Sequence, residues 1–169
     1  MELVLPDVGH KQAALEFREE HFNNGETLIH GDGGLDSAVS YELWLAKIRA
    51  DRIREFSEEA VPATVYFGML GARIIGITQI RHKLNRRLTE TYGHIGYGVR
   101  PSERRKGYAA QMLALALEKC RPLGIDKVLV SCDKNNIGSA KTIIKNGGVF
   151  GGEVRDADGG AILQYWITL

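Results

Sequence analysis

The chain has 169 residues, 44% of them hydrophobic and 25% charged, with 22 lysines and arginines against 21 aspartates and glutamates, a formal net charge of +1. This composition suits one ordinary domain over residues 1–169 with a single good core, and the charge balance excludes the extended basic face of a nucleic-acid binder. No apolar run approaches membrane-spanning length and the amino terminus carries no basic leader, so a cytoplasmic protein with no membrane partner is expected.

In chain order, Leu3 to Leu5 reads as a short strand stopped by Pro6, and Lys11 to His21 as a helix that Asn23, Asn24 and Gly25 end. A glycine-rich loop follows. Asp36 or Ser37 then caps a longer helix carrying Tyr41, Trp44, Leu45 and Ile48 on one side and reaching about Phe56. Thr64 to Leu70 and Arg73 to His82 form a hairpin around Gly71 and Ala72, and Glu90 to Arg100 a further strand rich in glycine, a pattern of a bulge or a close-lying ligand. From Gly107 the apolar residues Ala109, Met112, Leu113, Ala116, Leu117 and Cys120 recur at helical spacing until Pro122 and Gly124. Val128 to Cys132 is a short buried strand. A helix follows up to Asn146, Gly147 and Gly148, and the strands Val149 to Arg155 and Ala161 to Thr168 close the chain. This order predicts an α/β domain, a mixed central sheet of about seven strands with helices on both faces.

The informative stretch is VRPSERRKGYA, Val99 to Ala109, where a strand passes through a cationic turn into a strongly periodic helix. The first N–H groups of a helix have no intrahelical acceptor and its dipole puts positive charge at that end, so phosphate oxygens are well received there. Gly107 lets the backbone approach a ligand, and Arg104, Arg105 and Lys106 add charge. No G-x-x-x-x-G-K-[ST] loop and no strand-borne G-x-G-x-x-G offers a competing phosphate site. The two cysteines, Cys120 and Cys132, lack metal-ligand or disulfide spacing and read as buried apolar residues.

Arg104-Arg105-Lys106-Gly107-Tyr108-Ala109 resembles the acetyl-CoA signature of the GCN5-related N-acetyltransferase (GNAT) superfamily: Arg or Gln, two residues, Gly, one residue, then Gly or Ala. A second block, Asn135, Asn136 and Ser139 leading into the helix that ends at Gly147, is similar to the family's later motif. The resemblance implies the family's acyltransferase fold, with the strands before and after the loop splayed around the pantetheine arm. It implies a pyrophosphate held by Arg104 to Ala109, and an arm held by main chain at Tyr97, Gly98 and Val99 with the side chains of Asn136 and Ser139.

An acetyl transfer to an amine needs a polarised carbonyl and a route for protons. By the resemblance, N–H groups at a bulge near Tyr97 and Gly98 would meet the developing negative charge. His94 and Glu90, which point the same way in an unbroken strand, are the right types to take the ammonium proton. Two departures stand out: Ile143 occupies the place where many family members carry a thiolate-protonating Tyr, leaving Tyr108, Tyr165 or water, and Gly148 stands where Phe is common, with Phe150 nearby to supply a ring. Glu26 and Asp32, in the loop Asn24 to Asp36, would attract a cationic amine. The expectation is an acetyl-CoA-dependent N-acetyltransferase acting on a primary amine of a small molecule or peptide, with no metal and no nucleic-acid partner; the sequence also allows a homodimer. The alternative is a CoA-binding sensor that has lost turnover.

Overall fold

The computed structural model describes residues 1–169. Its elements run β1 (Glu2–Val4), α1 (Lys11–Asn23), α2 (Tyr41–Ile53), β2 (Ala63–Leu70), β3 (Arg73–Arg81), β4 (Ile95–Val99), α3 (Tyr108–Cys120), β5 (Lys127–Asp133), α4 (Ile137–Lys145), β6 (Val149–Arg155) and β7 (Ala161–Thr168). The seven strands expected are present, but their hydrogen bonds form two antiparallel sheets, β1-β2-β3-β4 and β5-β7-β6, instead of one. Between β4 and β5 the ladder is broken except at its lower end, where Gly93 bridges Val130.

Helices cover both faces. α1 and α2 bury Phe17, Trp44 and Ile48 against Phe67, Ile74 and Ile77 of the first sheet, and α3 buries Leu113 and Ala116 against Ile80, Ile95, Val128 and Val130 across the junction of the two. No helix is long and apolar enough to cross a membrane.

Two boundaries differ from the sequence reading, each for a local reason. α2 begins at Tyr41, where the Ser40 hydroxyl accepts the Leu43 N–H, because the Asp36 carboxylate is already taken by the Ile29 N–H. It ends at Ile53, where Arg54 turns extended. The expected strand over Glu90 to Arg100 loses its first half. Asn85 accepts the Leu88 N–H with its side chain, and Leu88 to Tyr92 wind into a π-helical turn. Gly93 at φ +68° ends that turn, and a Cβ there would lie 2.4 Å from the Leu129 carbonyl oxygen. Only glycine lets the two sheets meet at that point.

Candidate active site

The loop between β4 and α3 is pinned from below by two carboxylates at the end of α1. Arg100 is 5% exposed. Its Nε donates to the Ile74 carbonyl at 2.6 Å and its Nη1 to Glu20 at 2.7 Å, while Glu20 also accepts the Ser102 N–H at 2.9 Å. Burial works to raise the Glu20 pKa, but the Ser102 and Arg100 hydrogen bonds prevail and hold it at about 2. Glu26 grips Arg104 in a two-pronged pair, at 2.6 and 2.7 Å, and accepts from Asn24 at 2.7 Å; it also bonds the buried His21 ring at 2.8 Å. The Arg104 bonds, with help from His21 and Asn24, hold Glu26 near 2 despite burial.

Above these anchors the backbone opens. Arg105 is the only non-glycine residue with positive φ, +61°, and Gly107 sits at +86° with nothing within 4 Å of a Cβ built on it. The N–H groups of Arg105, Lys106, Gly107, Tyr108, Ala109 and Ala110 find no acceptor within the protein. A run of unpartnered amides at the head of a 13-residue helix is an anion cradle, and it fits a diphosphate. The side chains are less generous than the sequence reading has them. Arg104 is held by Glu26 and by the Val99 carbonyl, Lys106 by Glu103 at 2.8 Å, so of the three cations only Arg105 lacks a carboxylate partner.

Behind the cradle lies the fork between the sheets. The expected bulge at Tyr97 and Gly98 is absent: β4 pairs with β3 in unbroken register from Ile80–Ile95 to Gly76–Val99. Gly96 and Gly98 serve another purpose. The segment through His30 and Gly31 crosses that face of β4 so closely that a Cβ on Gly98 would stand 2.9 Å from the His30 oxygen, and one on Gly31 2.2 Å from the Gly96 oxygen. The close-lying partner is the chain itself. Because Arg81 N–H bonds His94 O and Arg100 N–H bonds Ile75 O, strand alternation turns the N–H groups of Tyr97 and Val99 away from β3 and toward the fork. The Tyr97 hydroxyl crosses the fork to the Ser139 hydroxyl at 2.8 Å, and burial pushes its pKa up to about 12. Asn136 caps α4, its side-chain oxygen accepting the Ser139 N–H at 3.0 Å.

His94 and Glu90 do not share a face. Glu90 lies outside β4, in the π-helical turn, exposed and paired with Arg86 at 2.8 Å. His94 is buried at the joint of the sheets. Its N–H donates to Leu129 O at 2.7 Å and its Nδ1 accepts the Leu129 N–H at 3.0 Å. Burial, followed by the charge of Arg81, pushes its pKa down to about 4, so the ring is neutral with its proton on Nε2. A ring in that state is a donor and a staple between sheets. The loop Asn24 to Asp36 is likewise closed to an amine: Ile29 and Leu35 are buried, Glu26 is saturated, and buried Asp32 accepts the N–H groups of Gly34 and Asp36 at 2.8 and 2.6 Å. Burial raises the Asp32 pKa to about 6.

The departures at Ile143 and Gly148 belong together. Ile143 is fully buried, and a Cβ on Gly148 would sit 2.5 Å from its Cγ2. Phe150 does not fill the core; it is 58% exposed and packs edge-on against Tyr165 at 5.8 Å. The carboxylate anchors Glu20 and Glu26 were not read from the sequence as loop supports, since 78 residues separate Glu26 from Arg104 and no local pattern marks the pair.

Residues 33–149 match the family model described as an acetyltransferase (GNAT) domain. Among solved structures, Mycobacterium smegmatis RimJ in complex with CoA-disulfide superposes with a TM-score of 0.73 at 18% identity, over 98% of this chain and 80% of that one. RimL, the ribosomal L7/L12 α-N-protein acetyltransferase in complex with coenzyme A, gives 0.72 at 16% identity over 99% and 93%. The Vibrio cholerae spermidine N-acetyltransferase SpeG gives 0.66 at 12% over 99% and 95%. No curated protein matches the sequence. The family match spans more than half of the chain and coincides with the amide cradle and the fork: the chain belongs to the GNAT acetyltransferase family, and it is an acetyl-CoA-dependent N-acetyltransferase.

Proposed function

We propose that this enzyme acetylates a primary amine of a small molecule or peptide by direct attack of the amine on the thioester. The observation that carries the reading is the run of unpartnered N–H groups from Arg105 to Ala110. These amides, with the Arg105 side chain, hold the diphosphate, while Arg104 shapes the loop through Glu26. Main chain at Tyr97 and Val99, and the side chains of Asn136 and Ser139, line the path of the arm through the fork.

Acetyl-CoA, when bound, supplies the activated acetyl group. Direct attack is favoured over a cysteine relay because both thiols are buried and burial raises them, Cys120 to about 11, so neither is a thiolate at neutral pH. The Tyr97 hydroxyl stays protonated beside Ser139 in the fork, where it would supply a hydrogen bond to the thioester group; with a pKa near 12 it is a stabiliser more than an acid. The geometry supports neither His94 nor Glu90 as the group that first receives the ammonium proton.

The test is a calorimetric titration of acetyl-CoA into the wild type and into Gly107→Asp, which puts a side chain at φ +86° and a negative charge among the amides. Saturable binding that weakens at least about a hundredfold in the variant is expected, a loss that matches one strained backbone residue plus a repelled anion. Absence of binding to the folded wild type overturns the reading.

A further inference from the structure

Two arginines, Arg81 at the end of β3 and Arg100 just past β4, are drawn into the fold, and they are treated differently. Arg100 has Glu20 at 2.7 Å. Arg81, partly buried, donates only Nη1 to the Gly93 carbonyl at 3.1 Å, with the Tyr92 ring 5.9 Å away, and no carboxylate pairs with it. Burial lowers its pKa to about 10, so it is a cation at neutral pH. A cation withdrawn from water is normally matched by an anion, and here no carboxylate stands within ion-pair distance.

Arg81 forms part of the wall of an open cleft of about 480 Å³ between the end of β3, the segment before β2 and the Leu88–Tyr92 turn that precedes β4. Arg87 lines the same cleft, its guanidinium 5.4 Å from the other contact of Arg81, the Tyr92 ring, and it too lacks a carboxylate. Glu58 and Glu59 line it too, carboxylates with no ion-pair partner, Glu58 accepting only the Arg86 N–H at 3.3 Å, and Val61 and Leu88 supply apolar surface. The guanidinium of Arg81 also comes within 4.0 Å of where a Cβ on Gly96 would be, next to Tyr97, whose N–H faces the fork. The cleft therefore offers two cations and two carboxylates without ion-pair partners, together with an apolar patch, close to the turn that leads into β4.

We infer that the acceptor is a small amine that also carries a carboxylate, an amino acid with an apolar side chain, held by Arg81 and Arg87 through the carboxylate and attracted by Glu59 through the ammonium. The guanidinium fork matches a carboxylate in two-pronged geometry, and anchoring that group beside Gly93 keeps the α-amine, only two bonds away, next to β4. This rests on the acetyltransferase reading above and narrows its acceptor.

The experiment measures release of free CoA with apolar L-amino acids, their carboxamides, and spermidine as an anion-free amine, in wild type, Arg81→Gln, Arg81→Lys and Arg87→Gln, alongside calorimetry of acetyl-CoA on each. Wild type is expected to favour the acids over the amides by at least about tenfold in kcat/KM, the worth of one charge-assisted hydrogen bond. Arg81→Gln removes that preference by slowing the acids more than the amides, and leaves acetyl-CoA affinity unchanged. Should Arg81→Gln fail to fold for want of the Gly93 contact, a reduced preference in Arg87→Gln and Arg81→Lys gives the same answer. Amides or spermidine reacting as well as the acids, or Arg81→Gln slowing acids and amides alike, overturns the inference. Acetyl-CoA binding with no amino acid acetylated also overturns it and leaves the cofactor site standing; no acetyl-CoA binding removes both.

Discussion

The two ends of β4 present charge by opposite means. At the Val99 end the site is made of backbone: a run of amides aimed at one place, with the nearby cations Arg104 and Lys106 neutralised by Glu26 and Glu103. At the Gly93 end side chains carry the charge, Arg81 and Arg87 standing without ion-pair partners around a cleft that Glu58 and Glu59 also line. Backbone donors are fixed by the path of the chain and tolerate most substitutions, so that end suits a co-substrate which does not change. Side chains can be exchanged one at a time without moving a strand, which suits an acceptor that differs from one enzyme to the next.

The comparison breaks most visibly at its first anchor. If the backbone end depends on Glu26 to aim the loop, Glu26→Gln raises the KM for acetyl-CoA by about tenfold or more and leaves the acceptor KM within about twofold, a loss on the scale of one charge-assisted pair. The same residue carries a pH signature. Glu20 and Glu26 titrate near 2 in the fold against 4.5 ordinarily, so the stability they contribute is complete above about pH 4.5 and is lost as pH falls toward 2. Acid denaturation followed by circular dichroism should therefore flatten in that range in a Glu20→Gln, Glu26→Gln double variant.

A smaller effect is expected where the two ends join. Removing the Nδ1 acceptor in His94→Gln leaves the Leu129 N–H to be satisfied anew and should cost roughly 1–3 kcal/mol in urea denaturation. Turnover per folded molecule should stay within about twofold. Since the folded pKa of His94, about 4, lies below the ordinary value of 6.5, the wild type loses stability as pH falls from 6.5 to 4, and the variant should lose less. A tenfold fall in kcat at unchanged stability would return the ring to proton transfer. The smallest effect belongs to Glu90→Gln: exposed and paired with Arg86, it should change kcat/KM less than twofold.

How much of this could be read in advance follows the same division. Gly107 and the periodic run from Ala109 to Cys120 mark the cradle because helix starts and phosphate loops are local events, legible over about ten residues. The glycines of β4 read as a bulge or a close-lying ligand, whereas what lies against them is the segment at His30 and Gly31, more than sixty residues earlier in the chain, which no short pattern names. The strand from Glu90 failed because a side chain outside the window, Asn85, winds the preceding turn, and because Gly93 must meet Leu129. In the sequence Arg81 reads only as part of a strand end. Its importance lies in a missing partner, and a missing partner is visible only in three dimensions.

The unsatisfied amides at the head of α3 also tie the endurance of the fold to the metabolic state around it. An anion that settles on them binds the native chain and has nothing comparable to grip in the unfolded one, so native stability grows with the logarithm of ligand concentration, about 2.7 kcal/mol at one hundred times the dissociation constant. The lifetime of this enzyme against unfolding and proteolysis should thus rise and fall with the supply of the molecule it consumes.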